Sequence, residues 1–387
     1  MIPYGRQDIS EADIAAVVEV LRSDFITQGP AVPGFENAVA QYCGASHAIA
    51  VNSATSALHI ACLALGVGPG DIVWTSPITF VASANCALYC GATVDFVDID
   101  EDTGNMSVDA LREKLEAAKV TNTLPKVVIP VHLCGTSCDM QAIRALGEQY
   151  GFRIIEDASH AIGGKYRDLP VGSCTYSDIT VFSFHPVKII TTGEGGMAVT
   201  NDDGLAQKMD LLRTHGITRD PALLTRDPDG GWYYEQVALG FNYRMTDIQA
   251  ALGHSQLARL DQFVHRRHQI ADWYDEHLVG LPLALAARPS DTYSALHLYV
   301  VQIELERGAS SHMEVFDSLR SNGIGVNLHY IPVYTHPYYQ QLGFKLGYCP
   351  SAEAYYSRAI SIPMFPTLAA EHLATVRDAI ALAVGAA

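Results

Sequence analysis

Residues 178–200 read DITVFSFHPVKIITTGEGGMAVT. Two short apolar runs, DITVFSF (178–184) and GMAVT (196–200), carry the β-branched and aromatic side chains that suit strands. Between them lies a Gly-rich bend that Pro186 and Gly193 help to shape. Toward the N-terminus come two more such runs, FRIIED (152–157) and VVIPVH (127–132), with a helix-like stretch near 139–150 between them. Strand-like segments at 93–97, 72–75 and 48–51 alternate with helix-like ones at about 80–90 and 54–65. Short apolar strands alternating with helices imply a mainly parallel sheet covered on both faces, an α/β fold.

Outside this block, Ser10-Glu11-Ala12-Asp13 reads as a helix cap. The Ile14, Val17, Val18, Leu21 spacing that follows predicts one buried helical face. From about 244 to 279 the pattern is helical, with HRRH (265–268) as a polar face. Beyond it, LHLYVVQIEL (296–305) reads as a strand and 311–321 as a helix, which suggests a second lobe. The expected division is 1–248, a large domain with an N-terminal arm, and 249–387, a smaller C-terminal α+β domain.

The chain has 387 residues, 49% apolar and 17% charged, enough to bury sizeable cores. Acidic residues outnumber basic ones 42 to 25, for a net charge of −17, which argues against nucleic acid or an anionic membrane as the main partner. No formally charged side chain occurs from Asn37 to Gly70, yet polar residues and glycines interrupt that stretch, so it does not read as a membrane span. Arg6, Asp8 and Glu11 do not fit a signal peptide, and a cytoplasmic protein is expected. The eight cysteines form no CxxC pair and no HExxH is present, so reduced thiols and no metal site are expected.

In open parallel sheets ligands bind beyond the carboxyl ends of the strands, and three strand ends here carry polar residues. Asn52-Ser53-Ala54-Thr55-Ser56 precedes an apolar helix, whose N-terminus and small residues suit a phosphate; a helix cap explains the same residues. At Glu156-Asp157-Ala158-Ser159-His160 two carboxyls face opposite ways from an extended strand, so one can meet a cationic ring nitrogen; Asp157 as a cap for the next helix is the other reading. Lys188, in the bend after an apolar strand, is in an unusual place for an ammonium group, and a lysine of depressed pKa is a Schiff-base nucleophile. A phosphate cradle, an acid for a pyridinium nitrogen and such a lysine are the parts that pyridoxal phosphate needs. Phe80, at a strand-to-helix junction, suits stacking on the ring.

NSATSAL (52–58), EDASHAIGG (156–164), SFHPVKIITTGEGG (183–196) and FNYRMTDIQAALG (241–253) together resemble the nucleotide-sugar aminotransferases of the DegT/DnrJ/EryC1/StrS family, pyridoxal phosphate enzymes of the aspartate-aminotransferase fold type. The resemblance runs from about residue 2 into the C-terminal lobe. The opening PYGRQDISEADIAAVVEVLRSDFITQGP (3–30), HGITRD (215–220) and WYYEQ (232–236) look most like the pseudaminic-acid branch. That branch aminates C4 of a UDP-linked 4-keto-6-deoxy-N-acetyl-L-hexosamine with L-glutamate as donor, giving UDP-4-amino-4,6-dideoxy-N-acetyl-β-L-altrosamine.

By this resemblance Lys188 is the Schiff-base lysine and Asp157 pairs with the pyridine nitrogen. His160 stands where many relatives have a glutamine contacting the ring's phenolic oxygen; histidine would add a pH dependence there. Ala54, Thr55 and Ser183 match phosphate-binding positions, Phe80 the ring-stacking aromatic, and Asn242 an asparagine that reaches the other subunit's cofactor phosphate, which implies a homodimer. For the sugar nucleotide, similarity points to Tyr4, Asp24, Phe25, Ile26, Thr27, Ser53, Asn327, Leu328, His329 and Tyr330. Ping-pong transamination is expected, with Lys188 moving the proton. Family members that are dehydratases carry histidine in place of the lysine. A non-catalytic binding regulator is the rival reading, against which stands the lack of a helix-turn-helix or basic stripe. Another UDP- or dTDP-4-keto-6-deoxy sugar is the alternative substrate.

Overall fold

The computed structural model describes residues 1–307 and 311–385. Its central sheet has seven strands: β1 (His47–Val51), β2 (Ile72–Thr75), β3 (Thr93–Phe96), β4 (Val127–Ile129), β5 (Arg153–Asp157), β6 (Ile179–Ser183) and β7 (Gly196–Thr200). Their spatial order is β1-β7-β6-β5-β4-β2-β3. From β3 through β6 neighbouring strands are parallel, whereas β7 runs antiparallel to both β6 and β1. The reversal follows from the connection: the bend between β6 and β7 holds no helix that would carry the chain back for a parallel crossover. The strands are mainly apolar because both faces are covered. Val127 and Ile129 enter one core while Val128, between them, enters another.

A second core surrounds a three-stranded antiparallel sheet, β8 (Leu283–Leu285), β9 (Tyr299–Ile303) and β10 (Ala359–Ile362), with the helices His312–Ser321 and Ala370–Ala383. Helix Leu260–His277 joins the two regions: Leu260, Phe263 and Val264 pack into a core of the large sheet, and Ile270, Ala271 and Tyr274 into the second core. The HRRH face is polar only in part. Arg267 is buried, and its Nη1 donates to the carbonyls of Leu296, His297 and Met364 at 2.9–3.1 Å, which offsets part of the cost of burying the charge. The division at 248/249 stands as our proposal.

The first helix, Glu11–Arg22, begins with the expected cap, a Ser10–Asp13 capping box. Its apolar stripe, however, is not buried within the chain: Ile14 and Leu21 are 48% and 55% exposed. Packing is instead polar. Asp13, fully buried, accepts from Ser255 and Gln256 on one neighbouring helix and from Arg259, which precedes the next. Burial pushes the Asp13 carboxyl up, but the bonds from Ser10, Ser255 and Gln256 outweigh it and hold it below the usual carboxylate range. Ahead of the helix, the arm lies along the second region, with Ile2 bonded to Gly323 and Gly325 and the Tyr4 carbonyl accepting from Met364 N–H. All eight cysteines are free thiols, seven of them buried. Among the described residues no helix is long and apolar enough to cross a membrane, and no group of three or more His, Cys, Asp or Glu is arranged to hold a metal ion.

Candidate active site

A cavity of about 500 Å³ opens where β1, β5 and β6 end. After β1, the Ser53 side chain caps helix Ala54–Ala64 by accepting from Ser56 N–H at 3.2 Å. The cap leaves the N–H groups of Ala54 and Thr55 without an acceptor among the described residues. Gly196, at the start of β7, lies against this turn so closely that a Cβ there would overlap the backbone of Ser53 and Ala54. Two free N–H groups at a helix N-terminus, with the Ser183 hydroxyl on the same wall, suit a phosphate.

At the end of β5 the two carboxyls part, as alternation along a strand requires. Glu156 faces away from the cavity, to His132 Nε2 at 2.7 Å and the hydroxyls of Ser177 and Thr180 at 2.5 and 3.0 Å. Burial pushes Glu156 up, but His132 and then the two hydroxyls hold it below the usual carboxylate range. Asp157 faces the cavity. Its Oδ1 accepts from the Ser159 N–H and hydroxyl at 3.1 and 2.5 Å, and its Oδ2 from the Ser83 hydroxyl at 2.6 Å. Ser83 in turn lies 2.7 Å from the Thr79 hydroxyl on the cavity wall.

Lys188 sits on the bend between β6 and β7. The register pairs Ser183 with Gly196, and inside that pair Phe184 N–H donates to Gly195, Thr192 N–H to Phe184 and Lys188 N–H to His185. The bend is therefore a closed, hydrogen-bonded loop, with its ammonium in the cavity. Burial pushes the Lys188 pKa down to about 8, with Asp157 opposing the shift.

His160 also lines the cavity. Its Nδ1 accepts from Cys134 N–H at 3.3 Å and its Nε2 lies 3.1 Å from the Tyr330 hydroxyl. Burial, and then Lys188 and His329, push its pKa well below the usual histidine value, so the ring is neutral at physiological pH. Phe80, 60% exposed, stands on the wall with its face free.

Of the residues singled out in the sequence, Tyr4, Ser53, Ala54, Thr55, Phe80, Asp157, His160, Ser183, Lys188 and Tyr330 share this one cavity. Asp24, Phe25, Ile26 and Thr27 form an exposed turn outside its walls. Asn327 is exposed and bonds Ser361 through its backbone, Leu328 is half-buried, and His329 is buried against the Ser361 hydroxyl at 2.7 Å. Asn242 bridges Thr214 and lies off the cavity of its own chain. Thr79, Ser83, Ser159 and Glu194 were not singled out. The available signal for the first two was a hydroxyl pair four residues apart around Phe80 in an otherwise apolar stretch.

The donors fit a planar, phosphorylated, electron-withdrawing ring: a helix N-terminus for the phosphate, a carboxyl for a ring nitrogen, and a lysine of lowered pKa for an aldehyde. Fold and site together define a pyridoxal phosphate enzyme of fold type I. The model of the DegT/DnrJ/EryC1/StrS aminotransferase family matches residues 7–381, and the chain belongs to that family. Spore coat polysaccharide biosynthesis protein SpsC of Bacillus subtilis is 41% identical over 98% of this chain and 96% of its own length. The UDP-4-amino-4,6-dideoxy-N-acetyl-beta-L-altrosamine transaminase of Campylobacter jejuni is 38% identical over 98% and 96%. Among solved structures, PseC of Helicobacter pylori, an aminotransferase involved in the biosynthesis of pseudoaminic acid, superposes with a TM-score of 0.90 at 32% identity, over 100% of both chains. Streptococcus pneumoniae Spr1654, a putative sugar aminotransferase solved in PMP and PLP forms, has a TM-score of 0.90 for the PMP form at 32% identity, over 100% of this chain and 99% of that one. The chain is a pyridoxal phosphate-dependent sugar aminotransferase.

Proposed function

We propose that the enzyme transfers the amino group of L-glutamate to C4 of a UDP-linked 4-keto-6-deoxy-N-acetyl-L-hexosamine, giving UDP-4-amino-4,6-dideoxy-N-acetyl-β-L-altrosamine, in the cytoplasm and as a homodimer. The observation that carries the chemistry is Lys188, lowered to about 8, in one cavity with Asp157. Similarity to the Campylobacter and Helicobacter proteins supports the sugar.

Bound pyridoxal phosphate supplies an electron sink for the pair left when the donor α-carbon loses its proton. The lowered pKa leaves more of the Lys188 amine neutral near physiological pH than an ordinary lysine has, which suits it both to bond an aldehyde carbon and to take that proton at Nζ. In the second half-reaction the same Nζ returns a proton to the sugar's C4. The Asp157 carboxyl, its oxygens held by Ser83 and Ser159, pairs with the ring nitrogen. Ala54, Thr55 and Ser183 take the phosphate, and Phe80 covers the ring. Tyr4, Ser53 and Tyr330 contact the sugar nucleotide, with the turn Asp24 to Thr27 and the segment Asn327 to His329. Asn242 reaches the phosphate in the other subunit. The exposed Ile14, Leu21, Phe25 and Ile26 supply apolar surface for pairing with a second copy.

Higher identity to the SpsC protein favours, as second reading, another nucleotide-linked keto sugar. The test offers the glutamate-treated enzyme a series of UDP- and dTDP-linked 4-keto-6-deoxy sugars and identifies the product by mass and NMR. Conversion of the UDP-N-acetyl-L-hexosamine to the altrosamine product supports the proposal; preference for another sugar, or the other configuration at C4, overturns it.

A further inference from the structure

We propose that the Tyr330 hydroxyl is the donor presented to the phenolic oxygen of the bound cofactor, and that His160 acts through Tyr330 as a positioning residue. The proposal rests on the cofactor being held by Lys188 in this cavity. It differs from the family resemblance, in which residue 160 itself makes that contact.

The argument begins with a backbone group. Cys134 N–H donates to His160 Nδ1, so that nitrogen carries no proton; a protonated Nδ1 would set two donors against each other. Neutrality of the ring places its one proton on Nε2, which then donates to the Tyr330 oxygen at 3.1 Å. With its lone pair engaged, the phenol has its own proton to give. No acceptor for that proton occurs among the described residues, and Tyr330 forms part of the cavity wall. Burial, and then Cys134, Asp157 and Tyr4, push the Tyr330 pKa up, so the hydroxyl stays protonated. Behind this pair His297 packs against His160, the rings tilted and their centroids 4.5 Å apart, and Lys188 and His329 are the other titratable groups facing the imidazole. His160 thus has both nitrogens engaged by the protein, and Tyr330 holds the free donor.

The test is a pH titration of visible absorbance of the cofactor-loaded protein. A hydroxyl donating to the ring oxygen favours the anionic, proton-poor form, so Tyr330→Phe raises the midpoint, by about one pH unit for one lost hydrogen bond. His160→Ala, which frees the phenol to turn away, shifts it the same way. His160→Gln, whose amide can still donate to the Tyr330 oxygen, stays near wild type, and the Tyr330→Phe, His160→Ala double variant moves no further than Tyr330→Phe alone. A Tyr330→Phe midpoint equal to wild type, or a double variant in which the two shifts add, overturns the proposal. A wild-type protein with no visible band would instead overturn the Lys188 reading beneath it.

Discussion

Ser83 reaches Asp157 across the end of the sheet, its hydroxyl donating to Oδ2 at 2.6 Å from a helix that packs beside β2 and β3. Seventy-four residues separate the two in the chain. The contact fixes one carboxyl oxygen while Ser159 fixes the other, so the Asp157 side chain has a single orientation toward the cavity.

Removing that hydroxyl leaves Asp157 free to turn. Ser83→Ala is expected to lower kcat about tenfold, the scale of one charge-assisted hydrogen bond, and to speed cofactor loss on dialysis, with Ser83→Thr restoring both. Steady-state rates and residual absorbance after dialysis check it. Unchanged values would make Ser83 a packing residue only.

Lys188→Ala is expected to abolish transamination of glutamate while leaving the circular dichroism spectrum unchanged. Any 2-oxoglutarate formed by the purified variant in catalytic excess would contradict it. The wild-type amine also has a pH signature. Its folded pKa of about 8 lies below the ordinary lysine value, and only the neutral amine bonds an aldehyde. Stopped-flow capture of pyridoxal phosphate by cofactor-free protein should therefore rise through about pH 8 and then level off, rather than climb to pH 10 or above.

Glu156 is buried on the far face of β5, bonded to His132, Ser177 and Thr180. Glu156→Gln removes the charge and is expected to destabilise the fold by about 3 kcal/mol, as breaking a buried pair does. The folded carboxyl pKa is depressed, so its stabilising effect is present above the unfolded value and is lost as pH falls through the folded one. Denaturant unfolding from pH 7 down to pH 3 should show wild type and variant converging at the acid end. Parallel curves throughout would refute the assignment.

Ile14 and Leu21 lie open on the first helix, beside a turn carrying exposed Phe25 and Ile26. If this face joins the proposed homodimer, Ile14→Asp with Leu21→Asp shifts the sedimenting species toward the 41.9 kDa monomer and reduces activity at least tenfold, since the proposed reach of Asn242 into a second site is lost. A variant that keeps the wild-type mass would remove this face from the interface.

The strands were the most legible part of the molecule. Ile72–Thr75 and Gly196–Thr200 coincide with the apolar runs read from the sequence, because a strand covered on both faces needs an unbroken apolar run. VVIPVH ends earlier, at Ile129, where Pro130 has no N–H for the ladder. The first helix was read correctly as a helix and wrongly as to its buried side. Asp13 owes its burial to Arg259, 246 residues away, and local periodicity carries nothing about such a partner. The same holds at the site. Asp157, Ser183 and Lys188 follow apolar runs and stand out as polar interruptions, whereas Ser83 lies in a helix of small residues, where a serine is unremarkable. His160 was legible as a polar ring just past a strand end; the Cys134 N–H that bonds its Nδ1 was not.

The Ser183 to Gly196 loop is braced by bonds among its own backbone groups and by the Gln249 amide, which donates to the Glu194 carbonyl. Pyridoxal phosphate and its aminated counterpart would therefore meet a receptor that is already folded. Little ordering entropy is spent on capture, and the heat-capacity change of binding should reflect only the ligand surface removed from water. An enzyme that alternates between two chemical forms of one cofactor can in this way let either form leave and return without refolding its active centre.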